Sequence, residues 1–216
     1  MNASRFVALG RLGISLSLVW AVVSFAQDPA VIPLPKPRTE GGKPLMQALR
    51  ERKSTREFAP RQLTDQQLSD LLWAAFGLNR PDGHRTAPST MNLRCIDVYV
   101  GTADGLFLFD ADAHALKPVL KDDIRAATTG QAELREAPLA LIFVVDHARM
   151  AKVAPAEREF YAAADTGYIS QNVYLFCASE GLATVVHAVN QPAVALAMKL
   201  SDDKKVILAQ AVGYPK

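Results

Sequence analysis

Apolar positions recur along the chain in two periods, and together they predict an alternation of helices with strands. Leu68, Leu71, Leu72, Ala75 and Phe76 mark one face of a helix, which Thr64 and Gln67 open as a capping box and Gly77 closes. Leu45, Met46 and Leu49 give a shorter helical signal upstream. Ile96 to Val100 alternates as a strand, and 106–109 with 116–120 reads as a hairpin whose Pro118 puts the second arm at a sheet edge. A short helix capped by Asp122 is expected to run through Ala127. Leu139 to Val145 is apolar without interruption, as in a central strand buried on both faces. The longest helical pattern spans Glu157 to Glu180, with Ile169, Val173, Phe176 and Cys177 on one face, and suits the spine of a domain or a dimer interface. A strand at Ala183 to Val186, a helix opened by Pro192 and a strand at Val206 to Val212 complete the order.

Polar residues cluster between these elements. Arg52-Lys53-Ser54-Thr55-Arg56-Glu57-Phe58 puts three cations and two hydroxyls within five positions, followed by an apolar anchor. Guanidinium groups match phosphate oxygens in pairs, lysine adds a point charge, and a hydroxyl serves a remaining oxygen. Such a stretch alone is also what a solvated basic turn looks like. Asn79 to Asn92 has no periodic apolar pattern; the hydroxyls, amide and proline of its run Arg85 to Asn92 suit either a ligand-lining loop or a surface loop. Trp73 lies off the apolar face of its helix and is expected to be half-buried or turned to a partner. The chain has no GxSxG elbow, no GxxxxGKS or GxxxxGKT, no GxGxxG after a strand, no HExxH and no CxxC. Its histidines (His84, His114, His147, His187) are isolated, so surface or loop positions are expected for them. The chemistry therefore points to holding a ligand that brings its own reactivity.

Composition narrows the class. With 24 basic against 22 acidic residues and a net charge of +2, nothing predicts a nucleic-acid surface. Arg5 and Arg11 precede an apolar run, Leu12 to Ala26, that ends in small residues at the cleavage-determining positions. Residues 1–26 are expected to be a cleaved signal peptide leading to export, to the periplasm, with no stable membrane insertion afterwards. Residues 27–44, rich in proline and glycine, are expected to be a linker or a surface arm, and 45–216 one folded domain. Cys95 and Cys177 are expected to be buried free thiols.

Arg52 to Phe58, Ala87-Pro88-Ser89-Thr90-Met91-Asn92, Glu180-Gly181-Leu182-Ala183-Thr184 and the closing Gly213-Tyr214-Pro215-Lys216 resemble the nitroreductase superfamily. Within it they are most similar to the branch that includes the azole-forming SagB-type dehydrogenases. The resemblance covers Leu45 to Lys216. It implies an α+β fold with a mainly antiparallel sheet flanked by helices, and a homodimer with a long buried helix and one FMN at each side of the interface. By position, Arg52, Ser54 and Arg56, with Lys53 beside them, would hold the FMN phosphate or reach the ring edge. Pro88, Ser89, Thr90 and Asn92 would line the flavin from one subunit or the other. Glu180, Gly181 and Leu182 would lie against the isoalloxazine, a backbone N–H there facing N5, and Lys216 would close on the phosphate. No side chain is implied as catalytic, since the chemistry sits on the flavin, and no metal is implied. The expected activity is ping-pong hydride transfer between a donor and a small organic acceptor. The donor stays open, because NAD(P)H is scarce outside the cytoplasm. The alternative reading is a non-catalytic exported protein that uses the same cradle for a flavin or phosphorylated ligand.

Overall fold

The computed structural model describes residues 30–216, so the expected signal peptide lies outside the described residues. The elements are β1 (Ile32–Pro33), α1 (Leu45–Glu51), α2 (Asp65–Phe76), β2 (Ile96–Thr102), β3 (Gly105–Asp110), β4 (Ala115–Leu120), β5 (Leu139–Asp146), α3 (Arg158–Glu180), β6 (Ala183–His187), α4 (Gln191–Met198) and β7 (Lys204–Gly213). The strands form one sheet in the order β1-β4-β3-β2-β5-β7-β6. Every pairing in it is antiparallel.

The uninterrupted apolar run of β5 is explained by what covers it. Its alternate residues Leu139, Leu141, Phe143 and Val145 enter a core shared with Leu71 and Phe76 of α2 and Ile169 and Val173 of α3. Ile142 and Val144 point the other way, to Val194 and Met198 of α4. A strand covered on both faces carries no polar alternation. Helix α3 follows the expected span; its buried positions Ala162, Asp165, Thr166, Ile169, Ser170, Val173, Tyr174 and Cys177 recur every three or four residues. The capping box of α2 forms as expected: Thr64 accepts from the Gln67 amide, and the Gln67 side chain accepts from the Thr64 N–H.

Residues 30–44 are an arm fixed to the domain. Ile32 pairs with Leu116, the Leu34 N–H donates to the His114 carbonyl at 3.1 Å, and the Ser69 hydroxyl donates to the Pro35 carbonyl at 2.6 Å. Arg38 closes on the buried Asp70 carboxylate through its N–H at 2.7 Å and its guanidinium at 2.7–2.8 Å. The arm covers only Ala115 and Leu116 of β4, so Pro118, which has no N–H to donate, stays on an open edge.

Two expectations are corrected. The helix foreseen from Asp122 is a 3-10 turn at Arg125–Thr128, and Asp123, not Asp122, accepts the Arg125 N–H at 3.0 Å. His187 is buried in β6 instead of lying in a loop, with its Nδ1 3.2 Å from the Ala188 carbonyl. Desolvation holds the imidazoles of His187 and His114 below the ordinary value of 6.5. The unfolded chain then binds more protons than the native one on acidification. Stability is fully present above the unfolded value and falls as pH drops through the lowered native values. A melting temperature that declines between about pH 7 and pH 5, with a shallower slope in His187→Gln, is the expected result of a thermal series.

Candidate active site

The segment after α1 is extended and strapped to the outer edge of the sheet. The Thr55 N–H donates to the Thr184 carbonyl at 2.9 Å, and Phe58 forms a bridge with Pro215. The Ala59 N–H donates to the Tyr214 carbonyl at 2.9 Å, and the Lys216 N–H reaches the Glu57 carbonyl at 3.4 Å. Phe58 is the anchor the sequence suggested, packed on Leu134, Ala137, Ala183, Val185 and Ala211. The basic run and the C-terminal tail therefore lie side by side. Ser54, Arg56, Lys53 and Lys216 line a depression of about 330 Å³. Lys53 and Thr55 also line an adjoining cavity of about 420 Å³ with Tyr174, Gly181, Leu182 and Thr184.

Tyr174, on α3, ties this cradle together. Its hydroxyl accepts the Val186 N–H at 3.0 Å and lies 2.8 Å from the Ser54 Oγ. The Arg52 guanidinium sits 5.3 Å from its ring centroid, in cation–π range. Tyr174→Phe is expected to leave the Val186 N–H without a partner and the Ser54 hydroxyl unrestrained. Both bonds are partly buried, so the loss is expected to be about 0.5–1.5 kcal/mol, which a urea titration would register.

The end of α3 is capped by two amides of the expected flavin-facing segment. Gly181 takes a left-handed conformation (φ 72°), and both its N–H and that of Leu182 (2.8 Å) go to the Cys177 carbonyl. Both amides serve as caps, because the last carbonyls of a helix need donors, while Gly181 and Leu182 still line the cavity. Glu180 turns to a separate groove of about 320 Å³ with Trp73 and Phe176. Trp73 is half-buried, its Nε1–H donating to the Leu78 carbonyl at 2.8 Å. Lys43, a residue the sequence had placed in an unremarkable linker, enters the larger cavity. Its Nζ donates to the Ala178 carbonyl at 3.0 Å and pairs with Glu51 at 2.8 Å. A cation there offsets the partial negative charge at the C-terminus of α3.

Pro88, Ser89, Thr90 and Asn92 are elsewhere. Pro88, Ser89 and Asn92 line a fourth hollow, about 530 Å³, with Arg80 and Met91. Ser89 and Thr90 are hydrogen-bonded to Asp165 near the start of α3. From Asp165 to Gly181 the helix rises about 24 Å at about 1.5 Å per residue, so one chain does not bring the two halves of the expected site together. Both thiols are free and buried, as expected. Burial, with Asp165 nearby, pushes Cys95 up to about 12, and burial raises Cys177 as well, so neither offers a nucleophile.

Residues 49–214 match the nitroreductase family, and the chain belongs to that family. It is accordingly an enzyme, an oxidoreductase. A candidate nitroreductase of Methanocaldococcus jannaschii is 29% identical over 151 residues, 65% of this chain and 76% of the relative. The crystal structure of another candidate nitroreductase, from Ralstonia eutropha JMP134, is 44% identical, covers 86% of this chain and 90% of its own, and superposes with a TM-score of 0.83. The NADPH:FMN oxidoreductase of Vibrio harveyi, solved with NAD+, shares the fold at 21% identity, with 80% of this chain and 69% of that one covered and a TM-score of 0.59.

Proposed function

We propose that this chain is an FMN-dependent oxidoreductase that works as a homodimer, passing reducing equivalents from a donor to a small organic acceptor in alternate half-reactions. The observation that carries this reading is the convergence of Arg56, Ser54 and Lys216 at a depression that adjoins the cavity of Gly181, Leu182 and Thr184. The residues present fit a flavin phosphate: cations and a fixed hydroxyl on one extended segment match its oxygens. Arg52, Ser54 and Arg56 would hold that phosphate, with Lys53 and Lys216 adding charge. Bound FMN supplies the redox chemistry itself. The protein's part is to orient the cofactor through Tyr174 and Ser54, and to present a cation at the cavity wall through Lys53, the charge of Lys43 there being matched by Glu51. A cationic wall favours the negative charge that develops on reduction.

The dimer is supported by apolar surface on one chain. Leu45 is 62% exposed and Met46 75% on α1, directly before the cradle, and Phe160 (70%) and Met91 (61%) are exposed near the other end of α3. Pairing two chains so that one face covers the other would bring the 88–92 loop of each to the cradle of its partner, supplying the second half of the site. The motifs also favour the SagB-type branch, and the pattern of residues 5–26 favours export; the donor would then be a reductant available outside the cytoplasm.

The test is an absorption spectrum after incubation with FMN and gel filtration. Flavin that elutes with a protein of dimer mass, is reduced by a chemical donor and is reoxidised by a quinone or nitroarene is the expected result. A colourless protein rejects the cofactor; a flavin that never reoxidises rejects the turnover.

A further inference from the structure

The 89–94 turn is held by a residue that the sequence patterns did not single out. Asp165 is 1% exposed and lies on the apolar face of α3, between Ala162 and Ile169. Its carboxylate accepts the Ser89 hydroxyl at 3.0 Å, the Thr90 N–H at 3.0 and 3.1 Å, and the Thr90 hydroxyl at 3.0 Å. The Cys95 thiol is 3.7 Å away on the same side. Among the described residues no lysine or arginine pairs with it. A buried carboxylate persists without a cation only where donors fill its lone pairs, and this loop provides them.

The loop in turn depends on that carboxylate. Met91, Asn92 and Arg94 have φ of 49°, 53° and 49°, the left-handed region that side chains other than glycine adopt at a cost. The Ser89 hydroxyl closes the turn by accepting the Arg94 N–H at 2.8 Å while donating to Asp165. With Ser89 and Thr90 turned inward to α3, the residues presented outward are Met91 and Asn92, both exposed. Backbone strain held by surrounding bonds is a feature of binding sites.

We propose that Asp165 is a positioning residue for the cofactor site of the partner subunit: it holds the 89–94 turn in its left-handed form so that Met91 and Asn92 of one chain complete the cavity beside Arg52 to Arg56 of the other. The proposal rests on the homodimeric FMN reading. It also gives Ser89 and Thr90 a different part from direct contact with the flavin, since their protons are committed to Asp165. Asparagine is the informative replacement. It keeps the size of the side chain but puts an amide N–H₂ where the carboxylate accepts donors, and the turn would lose its anchor.

The experiment measures FMN stoichiometry and affinity in homodimers and mixed dimers. The Asp165→Asn homodimer is expected to keep its circular dichroism and dimer mass but to bind FMN about tenfold or more weakly, the scale of one lost charged hydrogen bond. The decisive species is a mixed dimer, purified through two tags, of one Asp165→Asn chain with one Arg52→Ala chain. One of its sites combines an intact cradle with an intact loop, and the other combines both defects. It should hold one FMN per dimer at wild-type affinity. A mixed dimer that binds as weakly as the Asp165→Asn homodimer would overturn the proposal, since the effect would then be exerted within one chain or on the fold at large. An Asp165→Asn homodimer with unchanged affinity would overturn it too. Should that variant not fold, Ser89→Ala with Thr90→Val removes the two hydroxyl donors instead, leaving only the backbone N–H of residue 90, and must give the same mixed-dimer pattern. The wild-type titration is the separate control: no FMN bound there removes the underlying reading and the proposal with it.

Discussion

Alanine at Arg52 is expected to weaken FMN binding by about 10- to 100-fold, the equivalent of the ~1.5–3 kcal/mol in a hydrogen bond to a charged group. Arg52 leaves α1 as its C-cap and turns its guanidinium over the Tyr174 ring, beside the Ser54 hydroxyl. A flexible side chain that is already stacked loses less freedom when it meets a phosphate, so its charge counts for more than that of exposed Lys53. The loss should appear in flavin affinity with little change in the melting temperature of the apoprotein, because Arg52 forms no salt bridge among the described residues. Fluorescence titration of FMN, with a thermal scan alongside, separates the two. Lysine at the same position should restore part of the affinity, as a point charge without the paired geometry. Unchanged affinity in Arg52→Ala would mean that the phosphate is held by Arg56 and Lys216 alone.

How far the chain could be read depended on whether a feature was periodic or local. The β5 run and the α3 face were legible because burial on both faces and burial on one face leave different periods. β1 was not, since two residues, one of them proline, carry no period; its place comes from tertiary bonds such as Leu34 to His114. The cradle was legible in composition, but the use of the Gly181 and Leu182 amides was not, because the capping bonds to Cys177 follow from backbone conformation. The division of the candidate site into two places was equally hidden: spacing in sequence does not tell that Ser89 lies at one end of α3 and Ser54 at the other. Asp165 did leave a trace, an acidic residue at a position the helical period assigns to the core. Lys43 left none, as only the fold of the arm brings it to α3.

Aspartate at both Leu45 and Met46 is expected to give a folded, monomeric protein without flavin, and this double variant joins the apolar face to the site most directly. Both side chains stand on the first turn of α1, exposed on the single chain. Acidic residues in a first turn are favourable to the helix dipole, and α1 has none there, so the substitution should not unwind the helix. What it removes is apolar burial against a second copy, about 1.5–3 kcal/mol per large side chain, or roughly 100- to 10,000-fold in dimer affinity for the pair. Two carboxylates would also have to be desolvated, which adds to the loss. Sedimentation at micromolar concentration gives the mass, circular dichroism the fold, and absorbance the flavin. Because α1 runs straight into Arg52, a shift to monomer that also empties the site is the outcome of a cradle completed by the partner's loop. A monomer that keeps its flavin would show that one chain suffices, and an intact dimer would put the interface on another face.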